Sequence, residues 1–162
     1  MRKNKFVSWF LVFIAGGILG YKLIAKVANK RVTALLGDKR KFRDYYYFVS
    51  YWLQMKIQGE SIEGYFHSLG VNNITIYGMG ELGCLLYEEL KGTGIHIVQA
   101  IDRNLGKKYP ELTMCQMADM SPETEIIVVT PIFAFEKIEK ELREYYSGKI
   151  ISLEDVVYGE FK

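Results

Sequence analysis

Six residues near the middle of the chain, Gly78-Met79-Gly80-Glu81-Leu82-Gly83, have a spacing that can hold a phosphate. A first glycine permits a tight turn. A second lets backbone come close to an anion, and a third lets a helix pack closely on a strand. The free N–H groups that open the following helix then present partial positive charge to the ligand. An acid at the end of the next strand is placed to accept hydrogen bonds from ribose hydroxyls. Asp102, 19 residues after Gly83, has that position. Arg103 beside it offers a charge that can offset Glu81, a carboxylate at the helix start that competes with phosphate for the same N–H groups. Thr130, which closes a later apolar run, completes the candidate cofactor-binding set.

Other arrangements could do chemistry. Tyr-x-x-x-Lys serves proton transfer in short-chain reductases and epimerases, where the lysine lowers the tyrosine pKa. It occurs twice, at Tyr87/Lys91 and Tyr158/Lys162. The first pair lies on the helix directly after the glycine turn, the wrong helix for that role, and the second at the extreme C-terminus. With 12 tyrosines, chance matches are expected. The two histidines, His67 and His96, read as structural or surface residues. No Ser/His/Asp or Cys/His set has supporting local sequence, and no metal-ligand cluster occurs. The two cysteines, Cys84 and Cys115, fit reduced, buried thiols in a cytosolic compartment. Catalysis by this chain alone is not expected.

The elements that must position the turn are legible around it. Asn73 to Tyr77 is an apolar, β-rich first strand, and a helical pattern runs from Glu81 to Lys91 before Gly92 and Gly94. Ile95 to Ile101 is a second strand ending on Asp102. Ile126 to Thr130 is a continuous apolar run, as a parallel strand covered on both faces should be. Pro131 opens a helix with Phe135, Ile138, Leu142 and Tyr145 on one face. Lys149 to Leu153 is a further strand, and Glu154 to Tyr158 a terminal helical turn. Residues 104–122 read as loop with room for one short strand. The expected fold class is α/β: a small Rossmann-like parallel sheet of about four strands with flanking helices, over residues 61–162. Ser61 to Gly70 contributes a short amphipathic helix stopped by Gly70.

Charge divides the chain. Residues 1–43 hold 11 of the 21 Lys and Arg and one of the 19 acids, a balance of +10, against −8 for the remainder. Residues 1–5 are a basic N-terminus. Phe6 to Tyr21 is uncharged, and these 16 residues would span roughly 24 Å as a helix. Continuing to Ala28 with Lys22 and Lys26 snorkelling gives a single membrane span over residues 6–28. Ala25-Lys-Val-Ala28 makes a poor signal-peptide cleavage site. A helix buried in a soluble partner is the other alternative. The larger basic cluster after the run places the C-terminal domain on the cytoplasmic side of the cell membrane. Lys30 to Arg43 would meet anionic headgroups, and no nucleic-acid recognition fold accompanies it. In residues 29–60, Phe42, Tyr45, Tyr46, Val49, Trp52, Leu53 and Ile57 mark one face of a helix from about Asp38, as N-cap, to Gln58. A homodimer could form through Gly16/Gly20 or through this aromatic stalk.

Four pieces carry a family resemblance between about Phe48 and Val157. They are YWLQMKIQGESIEGYFHSLGVNNITIYGMGELG, LYEELKGTGIHIVQAIDRN, IIVVTPIFAFEKIEKEL and IISLEDVVY. They resemble the bacterial NAD(P)-binding-like, nucleoside-diphosphate-sugar epimerase-like domains of polysaccharide and capsule biosynthesis proteins. The resemblance implies NAD(P) or a nucleotide sugar at Gly78, Gly80, Gly83 and Asp102; no metal is expected, since the sequence holds no ligand cluster. It implies a glycosyltransferase or sugar-nucleotide enzyme as partner. It does not extend to the epimerase tyrosine, its lysine or a substrate lobe. A non-catalytic interaction scaffold and a half-enzyme completed by another chain therefore stand beside the nucleotide-binding reading.

Overall fold

The computed structural model describes the backbone of residues 3–102 and 109–159, and side chains within those ranges from residue 22 onward except residue 23. The chain divides into two compact units, Met1–Tyr47 and Phe48–Lys162. The first helix, α1, runs over Lys3–Ile57. Asp38 therefore lies inside a helix and caps nothing, contrary to expectation. No proline occurs before Pro110, and the stretch around Lys22–Leu36 is rich in Ala, Leu and Lys, so nothing local stops the helix at Gly37. It ends where expected, with Gly59 in the left-handed region at φ +80°. Among the described residues no helix is long and apolar enough to cross a membrane. The side chains of Phe6–Tyr21, Gly16 and Gly20 included, lie outside the described residues.

In the second unit, the last turns of α1 bury Phe48 and Trp52, four residues apart, while Leu53 and Ile57 are exposed. The expected face is thus corrected by a rotation. The aromatic cluster at 45–48 wraps more than one side of the helix, so spacing alone admitted two registers. The Trp52 indole N–H donates to Glu89 Oε2 at 2.6 Å, and Lys56 Nζ donates to Glu89 Oε1 at 3.0 Å. A short helix, α2 (Glu63–Ser68), follows and buries Tyr65 and Phe66.

The sheet has five parallel strands, not four. In chain order the remaining elements are β1 (Asn73–Tyr77), α3 (Glu81–Leu90), β2 (His96–Ile101), β3 (Met114–Cys115), β4 (Ile126–Val129), α4 (Phe135–Leu142), β5 (Lys149–Ser152) and α5 (Leu153–Tyr158). Their spatial order is β3-β2-β1-β4-β5, so the order reverses between β1 and β4. The extra strand pairs only Met114 and Cys115 with Ala100 and Ile101, too short a run for any periodicity to register. All four residues of β4 are buried, as its unbroken apolar run requires.

Alternation along the strands gives each face its core. Tyr77, Ile101, Ile127, Val129 and Ile150 pack with Ile138 and Leu142 of α4. The intervening residues Ile74, Ile76 and Val128 are equally buried, and α3 turns in Leu82, Leu86 and Leu90. Tyr145, expected on the inner face of α4, is exposed. The helix ends at Leu142, so the chain leaves the helical register and Tyr146 turns inward instead. Its hydroxyl donates to the Thr124 carbonyl at 3.0 Å and the Glu125 carbonyl at 2.8 Å. At the same end of the sheet, Glu125 Oε2 accepts from the Asn72 and Asn73 N–H groups at 2.8 and 2.7 Å. Those two bonds hold the Glu125 carboxyl below the usual glutamate range.

Candidate functional site

The turn after β1 is built from both halves of the sheet. Gly78 sits at φ +91°, a conformation that favours glycine, and its N–H donates to the Ile101 carbonyl at 2.8 Å. A Cβ there would press on the Pro131 ring and the Thr130 hydroxyl. A Cβ on Gly83 would overlap the Gly78 carbonyl oxygen. These two glycines are required by the protein's own packing. Gly80 is different. It is the N-cap of α3 at φ −69°, where any residue can sit, and a Cβ on it would meet nothing within 4 Å. The fold gives no steric reason for glycine at this position, and the space beyond it is open.

Thr130 is buried behind the turn, not in front of it. Its hydroxyl donates to the Gly78 carbonyl at 2.6 Å, and its N–H donates to the Tyr77 carbonyl at 3.0 Å. Its hydroxyl is engaged by the turn that it supports. Leu82 and Gly83 likewise turn into the fold, whereas Glu81 is exposed at the first position of α3. Arg103 lies outside the described residues.

Asp102 follows β2 and is half-buried beside the turn. Its Oδ2 accepts from the Met79 N–H at 2.6 Å. The acid and the glycine turn are thus brought together, as the spacing implied, but the carboxylate already binds one of the turn's own N–H groups. In front of them lies an open cleft of about 330 Å³, whose walls include Tyr77, Gly78, Gly80, Asp102, Pro131 and Lys137. It sits at the carboxyl ends of β1 and β4, where the strand order reverses and where open parallel sheets bind ligands. A second cleft of about 270 Å³ lies on the other side of Asp102, toward Gln116 and Met117. Lys137 of α4 is the cation of the first cleft, 3.8 Å from Glu141 and largely exposed. Tyr77, Pro131 and Lys137 were not singled out from sequence. A lysine on the polar side of an amphipathic helix carries no local mark of the cleft it faces. Pro131, directly after a buried apolar run, was the one available sign.

The tyrosine–lysine pair on α3 is engaged elsewhere. The Tyr87 hydroxyl and Lys91 Nζ both donate to Glu111 Oε1, at 3.1 and 2.9 Å. Burial, and then the bond to Glu111, push the Tyr87 hydroxyl up, the opposite of what a tyrosine base needs. Neighbouring Tyr109 packs against Tyr87 in a tilted arrangement, 4.5 Å between ring centroids, and burial pushes its hydroxyl up to about 12. Tyr158 packs its ring on Phe48 and Tyr51, while Lys162 lies outside the described residues. His67 pairs with Glu63 at 3.2 Å, and His96 is exposed at the start of β2. Cys84 and Cys115 form no disulfide and are buried. Among the described residues, no group of three or more His, Cys, Asp or Glu could hold a metal.

Against known proteins, no protein-family model matches this chain, and no curated protein matches it.

Proposed function

We propose that the Phe48–Lys162 unit is a nucleotide-binding module that takes the phosphates of NAD(P) or a nucleoside-diphosphate sugar at the Gly78–Gly83 turn. The observation that carries this reading is Gly80. Of the three glycines of the turn, two are explained by contacts within the fold, and the third borders open space at the switch point of the sheet. Close approach of backbone to a phosphate is the use a glycine has there. Asp102 remains the candidate for the ribose. A carboxylate has about four acceptor sites, so the bond from Met79 and one from a ribose hydroxyl are compatible.

The uncharged run Phe6–Tyr21 and the basic residues after it support a single-pass anchor in the cell membrane, with the module on the cytoplasmic side. The family resemblance supports a role beside the glycosyltransferases or sugar-nucleotide enzymes of cell-surface polysaccharide synthesis. The module serves as an accessory component, since Tyr87 and Lys91 are both bound to Glu111.

One observation favours a second reading. Two carboxylates stand at the turn, Asp102 on the Met79 N–H and Glu81 at the start of α3. Together they supply the negative charge that the turn would otherwise take from a ligand. In that case the unit is a non-catalytic scaffold for a membrane-bound partner.

A thermal-shift screen of the full-length chain separates the two. The probes are NAD(H), NADP(H), UDP-sugars and dTDP-sugars. A ligand at 100 times its Kd adds about 2.7 kcal/mol to stability, so a binder produces a clear rise in Tm. A rise selective for one class supports the first reading and names the ligand class. No rise with any probe, on a chain that melts cooperatively, refutes it in favour of the scaffold.

A further inference from the structure

Within the first unit, α1 carries a largely apolar stripe that is exposed among the described residues. Ala28, Val32, Leu35, Lys39, Phe42 and Tyr46 follow one another at steps of four, three, four, three and four. Val32, Leu35, Phe42 and Tyr46 are 53%, 68%, 74% and 61% exposed. This alternation is the seam of a two-stranded coiled coil. Val32, Lys39 and Tyr46 occupy one set of core positions, and Ala28, Leu35 and Phe42 the other. We infer that this stripe is the interface between two copies of the chain, packed as a parallel, in-register helical pair.

Several features argue for a second copy as the occupant. A seam with a strict 3.5-residue period is complementary to another helix of the same period, and the chain's own α1 is such a helix. The positions flanking the seam are oppositely charged in the required order: Asp38 stands on one side and Arg43, five residues on, stands on the other. In a parallel pair Asp38 of each copy meets Arg43 of the other, twice over by the two-fold symmetry. Among the described residues Arg43 pairs with its neighbour Asp44, at 3.2 Å, and both side chains stay exposed.

Of the remaining charges along the stripe, Arg31 also flanks the seam, opposite Leu36 of the other copy, Lys39 lies within it, and the others fall away from it. Lys26, Lys30, Arg40 and Lys41 occupy outward positions, and Gly37, the residue least suited to packing, is at an outermost one. Residues two helix diameters apart on the outside are well screened, because the Debye length is about 8 Å at physiological salt. Lys39 is the single polar residue in the seam. A lone lysine there sets register and strand number at some cost in stability. The Val32 and Leu35 choice, β-branched then Leu, also suits two strands.

Cysteine cross-linking of the full-length chain in mild detergent tests the interface. Leu35→Cys and Phe42→Cys are each compared with Gly37→Cys and with the unsubstituted chain, whose own cysteines are buried. Disulfide-linked dimers are expected for Leu35→Cys and Phe42→Cys and not for Gly37→Cys. Equal yields at all three positions, or dimers at none, overturn the proposal; the latter result would leave the stripe facing lipid. A charge swap tests the register. Asp38→Arg should weaken dimerisation by about ten-fold, and adding Arg43→Asp should restore it. A double variant no better than the single one overturns the parallel, in-register pairing.

Discussion

The two ends of strand β1 are closed by the same device with different surroundings. At its amino end, the Glu125 carboxylate accepts two backbone N–H groups, from Asn72 and Asn73. The Thr75 and Thr124 hydroxyls meet at 2.7 Å just inside, and Tyr146 caps the adjoining carbonyls. At its carboxyl end, the Asp102 carboxylate accepts the Met79 N–H, and open clefts lie on both sides of it. Each acid satisfies backbone donors that no strand partner reaches. Among the described residues, the two clefts are lined by Asp102 and not by Glu125. A carboxylate bound to backbone is therefore not marked as structural by that bond alone. The space around it, and the glycine next to it, make the difference.

The largest way to break the carboxyl end is Gly83→Val. Its side chain would drive α3 away from the Gly78 carbonyl, overpacking the turn from behind. We expect a loss of about 3 kcal/mol, at the upper end for such changes, and a Tm lower by about 10 °C by circular dichroism. Nucleotide binding should be lost with the turn. A Tm unchanged by this substitution would show that the helix and strand are not packed as described.

Asp102→Asn sharpens the comparison at the same end. The amide oxygen still accepts from Met79, so Tm should stay close to that of the unsubstituted chain. Nucleotide affinity, measured by calorimetry, should fall about ten-fold with the loss of one charge-assisted hydrogen bond. Equal affinity would confine Asp102 to holding the turn, and the two ends of β1 would then be alike.

The smallest effect is expected at the amino end, from Glu125→Gln, and it shows best against pH. The backbone N–H groups of Asn73 and Asn72 hold the folded-state carboxyl of Glu125 below its ordinary value. The unfolded chain, with a glutamate value of about 4.3, then binds more protons than the folded one as the medium acidifies. The stability that Glu125 contributes is present above about pH 4.3 and is lost as pH falls through the folded-state value. Glu63, bonded to the Gly94 N–H, and Glu111, bonded to Lys91, act in the same direction. Glu125→Gln should flatten the acid limb of the stability profile in denaturant titrations, without abolishing it. Ligand affinity at neutral pH should not change.

The glycine turn, β1 and β4 were legible because their signals are local and dense. A buried central strand reads as an unbroken apolar run, and a phosphate-type turn reads as spaced glycines. The two-residue β3 was legible only as room for one short strand in residues 104–122, since its place is set by pairing with Ala100 and Ile101. The choice of Phe48 over Leu53 as a buried residue of α1 was not legible. Tertiary contact with α3 settles it, through the Trp52–Glu89 bond, and four consecutive aromatic residues left the register open. In the site, spacing was enough to unite Asp102 with the turn. Thr130 was in the expected place, and its hydroxyl supports the turn through the Gly78 carbonyl, a contact that a sequence does not mark. Lys137 reaches the cleft only through the packing of α4 on β4, which no local pattern reports.

Gly80→Asp is the most direct test of the central claim, that the turn is open to a phosphate. Aspartate is a good N-cap and the position has room for its side chain, so α3 should be as stable as before or slightly more so. Its carboxylate would occupy the place of the anion. Calorimetric titration of both chains with the nucleotide that most raises the Tm should give a measurable Kd for the unsubstituted protein and no binding for Gly80→Asp, with equal melting temperatures in the absence of ligand. Equal affinity of the two folded chains for that nucleotide would contradict the account and place the ligand away from the glycine turn.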